Sequence, residues 1–284
     1  MKIISDKRCI IGEGPIWNDK DKLLYFVNAP EKEICTLDLN SETLKIRRVE
    51  KACSAICFDN KNRLIVARKD GVFYLNDDDT VESLYDLNKY KITNANDMKV
   101  GPDGRIYVGT ISGAKCGVSD KIDGKLYSID KSGKVKRLLD NIAVSNGLEW
   151  SIDEKFFYHT DSNTATIKEY AFDKVKGDIT YTGRKIVVQN GGVDGFTIDK
   201  NNRLVVTRWD DKDVCFYDTK TMKMVEQIFV PKANPASCSF AGENLDLLVV
   251  VSASYDGYGA GNENSGFVFI EKRNIGGRKP YIYR

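Results

Sequence analysis

The chain reads as an all-β, six-bladed β-propeller. Three observations carry that prediction. A polar turn followed by a short apolar strand recurs six times, the recurrence holds a period of propeller-blade length, and no segment of useful length carries a helical period. The recurring strands open at Leu23, Leu64, Ile106, Phe156, Leu204 and Leu245, spaced by 41, 42, 50, 48 and 41 residues.

The first copy is Asn18-Asp19-Lys20-Asp21-Lys22 running into Leu23-Leu24-Tyr25-Phe26-Val27. Clear copies return at 59–67 and 102–109, weaker ones at 153–158, 199–206 and 242–248. Each is followed by an alternating apolar segment bounded by Asp, Asn or Gly, the pattern of a strand ending in a hairpin. These third strands lie at 34–38, 72–76, 126–130, 167–173, 214–218 and 267–271. Fourth strands are expected at 45–49, 135–139 and 224–228, and all of residues 1–284 are read as one propeller domain. The terminal segment 281–284 is expected to pair with 2–4 and close the ring.

Ten residues upstream of the recurring strands stand Glu13, Ser54, Asn96, Asn146, Asp194 and Pro235. In a closed propeller, equivalent positions ring the central axis. Glu13, Asn96, Asn146 and Asp194 carry only oxygen donors on the groups that could converge, a ligand set for one divalent cation. The set suits Ca²⁺, Mn²⁺ or Mg²⁺ with water completing the shell, and admits Zn²⁺ where it is supplied; Ca²⁺ is the expected ion. The topology puts this ring on one face together with the loops after the second strands. Those at 111–123 and 254–265 are long and glycine-rich, as an entrance rim would be.

Composition narrows the function. With 43 Lys and Arg against 41 Asp and Glu, no concentrated basic face marks a nucleic-acid binder. No apolar run is long enough to cross a bilayer, and the start shows no signal-peptide pattern. Seven scattered cysteines without C-x-x-C spacing read as buried thiols in a cytoplasmic protein. The one histidine, His159, argues against histidine-based chemistry, and no G-x-S-x-G elbow offers a serine nucleophile. Trp17 and Trp150 hold equivalent repeat positions and read as inter-blade core. The Asn76-Asp77-Asp78-Asp79 run lacks EF-hand spacing and reads as a hairpin turn.

Four segments carry a family resemblance. Gly12-Glu13-Gly14-Pro15-Ile16-Trp17 resembles the opening of the senescence-marker-protein/gluconolactonase (regucalcin-like) family. Asn96-Asp97-Met98-Lys99 is similar to its central N-D-G-K motif, and Ser145-Asn146-Gly147-Leu148 and Asp194-Gly195-Phe196 to its two later signatures. The motifs fall in family order over nearly the whole chain. The resemblance implies a six-bladed propeller with Glu13, Asn146 and Asp194 as metal ligands, and Asn96 as a further metal-facing or substrate-contacting residue. It implies a metal-dependent hydrolase that opens a sugar lactone or related small lactone. Phosphotriesterase-like and luciferin-regenerating members are also known.

The departures bear on substrate. Asn94 stands where the family places a sugar-holding Arg, Met98 replaces the motif glycine, and the loop 112–117 lacks the family's substrate-contacting Glu. The metal set is retained while the sugar-recognition set is not. Asn94 and Asn96 are the remaining candidates for substrate contact. Asp194 is the expected base for water, with Asp97 orienting Asn96 or a water and Lys99 balancing charge on the axis. The reading is therefore a lactonase acting on a small lactone or ester, monomeric, with no nucleic-acid or membrane partner. A non-catalytic calcium-binding propeller and a phosphotriesterase-like hydrolase are the alternatives.

Overall fold

The computed structural model describes residues 1–117, 120–189, 191–231, 234–254 and 265–284. Alternating apolar residues build six antiparallel four-stranded sheets. The first blade runs outward through Gly12–Asn18, Leu23–Asn28, Glu33–Asp38 and Thr43–Arg48. The inner strands of the other five are Cys53–Phe58, Ala95–Val100, Ser145–Trp150, Gly192–Ile198 and Asn234–Ala241. Each inner strand packs against the next and the last against the first, so the six close around an axis. This is the six-bladed propeller that the repeat predicts.

Second strands open at Leu23, Leu64, Ile106 and Phe156 as expected, and at Arg203 in the fifth blade. In the sixth the strand starts at Leu247. Leu245 belongs to the turn instead, with its backbone at φ +55 and its N–H bonded to the Gly242 carbonyl. Trp17 and Trp150 are buried between blades, the latter edge-on to Tyr107 with ring centroids 4.8 Å apart. Asn76 and Thr80 close the expected hairpin turn. All seven cysteines are free thiols, and six are buried.

Ring closure differs from the expectation. Lys2–Ile3 supplies the outer strand of the sixth blade by pairing with Val268–Lys272, Lys2 opposite Ile270 and Ile3 opposite Phe269. The C-terminal segment takes another course, across the face that carries the Asp-Arg turns. Its Gly277 bridges to Asp199 and its Tyr283 to Asp59, while Tyr281 bonds Glu154 and Arg284 bonds the Gly104 carbonyl. It thus visits four blades and roofs the far end of the channel. Its apolar-aromatic pattern looks like an edge strand, but its partners are turn backbones, which a local pattern cannot reveal. The rim segment expected at 254–265 falls almost entirely on 255–264, outside the described residues.

Candidate metal centre

Each inner strand slips register at or beside its ring position. The breaks lie between Glu13 and Ile16, Cys53 and Ala55, Ala95 and Met98, Asn146 and Leu148, Val193 and Phe196, and Pro235 and Ser237. Such bulges re-aim a side chain out of the sheet's alternation. Here they turn the ring residues toward the axis. Gly147 shows why the motif needs glycine: its φ is +50, and a Cβ there would lie 1.9 Å from the Phe196 ring. Glycines follow Glu13, Asn146 and Asp194; Asp97 follows Asn96, adding a third carboxylate near the axis.

Glu13, Asn96, Asn146 and Asp194 line one cavity of about 390 Å³, with Ser54 and Ser162 beside them. Its remaining described lining is Ile11, Ala29, Val144, Gly192, Val193 and Trp209. Hydrogen bonds hold the amides in place. Asn96 Nδ2 donates to Asn146 Oδ1 at 2.8 Å and to the Ser145 carbonyl at 3.0 Å. Asn146 Nδ2 donates to Ser162 Oγ at 2.9 Å, and that hydroxyl donates to the Val193 carbonyl at 2.6 Å. A carbonyl oxygen accepts twice. Asn146 Oδ1 therefore keeps one acceptor position beyond its bond from Asn96.

The carboxylates are electrostatically crowded. Desolvation, then the charges of Asp194 and Asp97, lift the Glu13 carboxyl well above its ordinary range. Desolvation and then Asp97 do the same to Asp194. Asp97 is raised by desolvation although Lys99 opposes the rise. Each accepts a backbone N–H: Gly14 for Glu13, Gly195 for Asp194, Met98 and Gly147 for Asp97. Those bonds do not cancel the shared negative charge. Among the described residues no three His, Cys, Asp or Glu side chains form a metal-binding group. The convergent donors are instead two carboxylates and two amides, an all-oxygen set suited to a hard divalent cation. On this chemistry the residues fit the expected ion.

The other expected residues lie as follows. Asn94 adopts φ +56, donates its backbone N–H to the Lys69 carbonyl, and is not part of the cavity lining. Lys99 Nζ reaches Glu149 Oε2 at 3.1 Å and the Phe196 carbonyl at 3.0 Å, so its hydrogen bonds go to Glu149 rather than to Asp97. His159 is buried with Nε2 2.8 Å from Ser145 Oγ, and burial lowers it to about 4. It does not line the cavity.

Three contributors escaped the sequence reading. Ser162 fixes the Asn146 amide, and its place just after a second strand on the site face is the signal that could have found it. Glu149 and Arg278 pair in the channel below the ring, Arg278 arriving from the C-terminal segment. Nothing local in the sequence joins residues so far apart.

Among relatives, bovine (Bos taurus) regucalcin is 28% identical over 293 residues, covering 100% of this chain and 98% of its own. The structure of luciferin-regenerating enzyme superposes with a TM-score of 0.86 at 26% identity, covering 98% of this chain and 96% of that one. Regucalcin from Agrobacterium tumefaciens, described as a calcium-binding protein, superposes with a TM-score of 0.87 at 23% identity, covering 99% and 96%. Among the described residues no helix is long and apolar enough to cross a membrane. Residues 11–254 match the SMP-30/Gluconolactonase/LRE-like region, and the chain belongs to that family.

Proposed function

We propose that the protein is a divalent-metal-dependent lactonase. The supporting observation is the convergence of Glu13, Asn96, Asn146 and Asp194 on one cavity at the mouth of the propeller axis. Glu13, Asn146 and Asp194 hold the cation, with Asn96 beside them, and Ca²⁺ is the favoured ion. When bound, the ion supplies Lewis-acid polarisation of the lactone carbonyl and charge to stabilise the oxyanion.

The protein's own groups handle the proton and the water. Asp194 takes a proton from the attacking water as the water oxygen bonds to the carbonyl carbon. The ring C–O bond then breaks, and the proton passes to the departing alkoxide, giving one hydroxy acid per water consumed. Asp97, held by backbone N–H groups, keeps a second negative charge nearby and favours the protonated form of Asp194 between the two transfers. Asn96 and Asn146, locked by their mutual hydrogen bond, keep the polar end of the cavity rigid.

The gluconolactonase in the family name supports a lactone-opening role, and the regucalcin relative a calcium-linked one. We place the protein in the cytoplasm as a monomer, in keeping with its seven free thiols. The test is a panel of γ- and δ-lactones and aryl esters on protein reconstituted with Ca²⁺, Mn²⁺, Mg²⁺ or Zn²⁺. Metal-dependent turnover that falls at least tenfold in both Asp194→Asn and Glu13→Gln, with an unchanged circular dichroism spectrum, is expected. Metal-induced stabilisation without any turnover would leave the binding-propeller reading in its place.

A further inference from the structure

The cavity is divided in kind. Its oxygen-bearing groups gather at the axis, while the described side wall is Ile11, Ala29, Val144, Val193 and Trp209. No Lys or Arg appears in the described lining, and its only formal charges are the carboxyls of Glu13 and Asp194. An anionic substrate therefore meets no balancing cation from the described wall.

Among the described lining residues the serine and Asn96 donors are already engaged, leaving one Asn146 Nδ2 hydrogen and the Trp209 Nε1–H. Ser54 Oγ donates to the Ala95 carbonyl at 2.9 Å, and Ser162 Oγ to Val193 at 2.6 Å. The Asn96 amide gives its Nδ2 hydrogens to Asn146 and Ser145. A polyhydroxylated lactone entering this space would lose water from several hydroxyls and find no hydrogen-bonding side chain at Ile11, Ala29, Val144 or Val193 of the described wall. Each hydroxyl desolvated without a partner weakens binding by about tenfold or more.

The wall also makes room for something apolar. Gly192 is the register partner of Trp209, so both positions face the same side of the blade. A side chain at 192 would begin 3.7 Å from the Trp209 Cβ. Glycine there puts no side chain beside Trp209, which is half-buried and lines the cavity. At about 390 Å³ the space lies at the small end of the roughly 300–1,000 Å³ usual for ligand pockets.

We infer that the substrate is a small neutral lactone bearing an alkyl or aryl substituent, with its carbonyl at the axial ring and its substituent against Val144, Val193 and Trp209. This rests on the lactonase reading of the same site and adds its specificity. Asn94, turned out of the lining, supplies no substitute for a sugar-holding group.

Two measurements on the full-length, metal-reconstituted protein test it. The first compares kcat/KM for γ-butyrolactone, its 5-alkyl homologues up to hexyl, and glucono-δ-lactone. Each buried methylene raises kcat/KM by about fourfold until the wall is filled, and the glucono-lactone falls at least tenfold below the best alkyl homologue. Trp209→Ala and Val193→Ala flatten the dependence on chain length. The second measures calorimetric binding of 5-alkyl-2-pyrrolidinones, lactams that resist hydrolysis, against a polyhydroxylated lactam. Affinity rising with alkyl length while no lactone is turned over would uphold the apolar wall as a binding surface but defeat the lactonase reading, and with it the assignment of a lactone as substrate. Lactone turnover with no chain-length gradient, or with the glucono-lactone preferred, overturns the inference and leaves the lactonase reading standing. Absence of both binding and turnover defeats both.

Discussion

Replacing Arg278 with Met should unhook the C-terminal segment from the channel. Arg278 pairs with Glu149 Oε1, and its guanidinium lies 3.9 Å over the Tyr281 ring. Glu149 is only 3% exposed. Its other oxygen takes Lys99 at 3.1 Å, and Oε1 also accepts the Trp150 N–H at 2.9 Å. Removing one partner of a buried ion pair costs about 3–5 kcal/mol because the other charge is stranded. Lys99 remains, so the lower end of that range, about 3 kcal/mol, is the expectation for Arg278→Met. For a chain of 284 residues that corresponds to roughly 5 °C in melting temperature.

The pH dependence gives a second reading of the same contact. Burial pushes the Glu149 carboxyl up, but Arg278 and Lys99 together outweigh it and hold the group below its ordinary value of 4.5. The lowered value means that the native state favours the carboxylate more than the unfolded chain does. The associated stability is complete above 4.5 and is lost as pH falls through the native value. The gap between wild type and Arg278→Met should therefore be widest near neutrality and close in acid. Urea unfolding at pH 7 and pH 4 measures it. Glu149→Gln combined with Arg278→Met should cost less than the two single changes added together. Lys279→Ala, in the same segment but touching only Asp19 at the surface, should move stability by less than about 0.5 kcal/mol. An Arg278→Met variant indistinguishable from wild type at pH 7, or additive with Glu149→Gln, would refute the anchoring argument.

Two further outcomes follow from buried groups. His159 is held neutral to about 4, so between its ordinary 6.5 and that value the unfolded chain binds the extra proton; acidification across this window should remove roughly 3 kcal/mol of stability, and His159→Gln should abolish that component in urea unfolding. Glu13 and Asp194 are raised well above the ordinary range, so metal binding should release protons and tighten as pH rises; calcium titrations in buffers of different ionisation enthalpy at pH 6 measure the release, and heats independent of buffer would contradict the crowding described here.

The blades were legible because each copy states its own limits. Asp59 accepts the backbone N–H of Lys61 and of Arg63, and Asp199 does the same for Asn201 and Arg203, so the turn chemistry lies within five consecutive residues. The ring positions were legible through their constant offset from the recurring strands and through the family motifs, and Glu13, Asn96, Asn146 and Asp194 do line one cavity. Closure was not. Ile3 and Tyr283 both look like edge-strand residues, and only the three-dimensional ring decides that Ile3 meets Phe269 while Tyr283 meets Asp59. Trp209 ends the strand Arg203–Trp209, which carries it to the cavity wall. Its neighbour Arg208 pairs with Asp213 over the end of that strand, a contact between adjacent strands that propensity does not encode.

The two ends of the channel differ in their electrostatics. Glu149 and Asp194 are both carboxylates on inner strands and both are buried. Burial alone would raise each. Glu149 is nevertheless lowered, because Lys99 and Arg278 supply two positive charges. Asp194 is raised further, because its nearest influential charge is another carboxylate, Asp97. The chain thus satisfies its acidic group completely at the roofed end and leaves like charges facing one another at the open end. Lys99 sits between the two ends and spends its hydrogen bonds on Glu149 and Phe196. A fold selected only for stability would have no reason to treat the two ends differently. Oxygen donors crowd at the cavity end and are paired at the roofed end, a contrast in keeping with the cation proposed for that cavity.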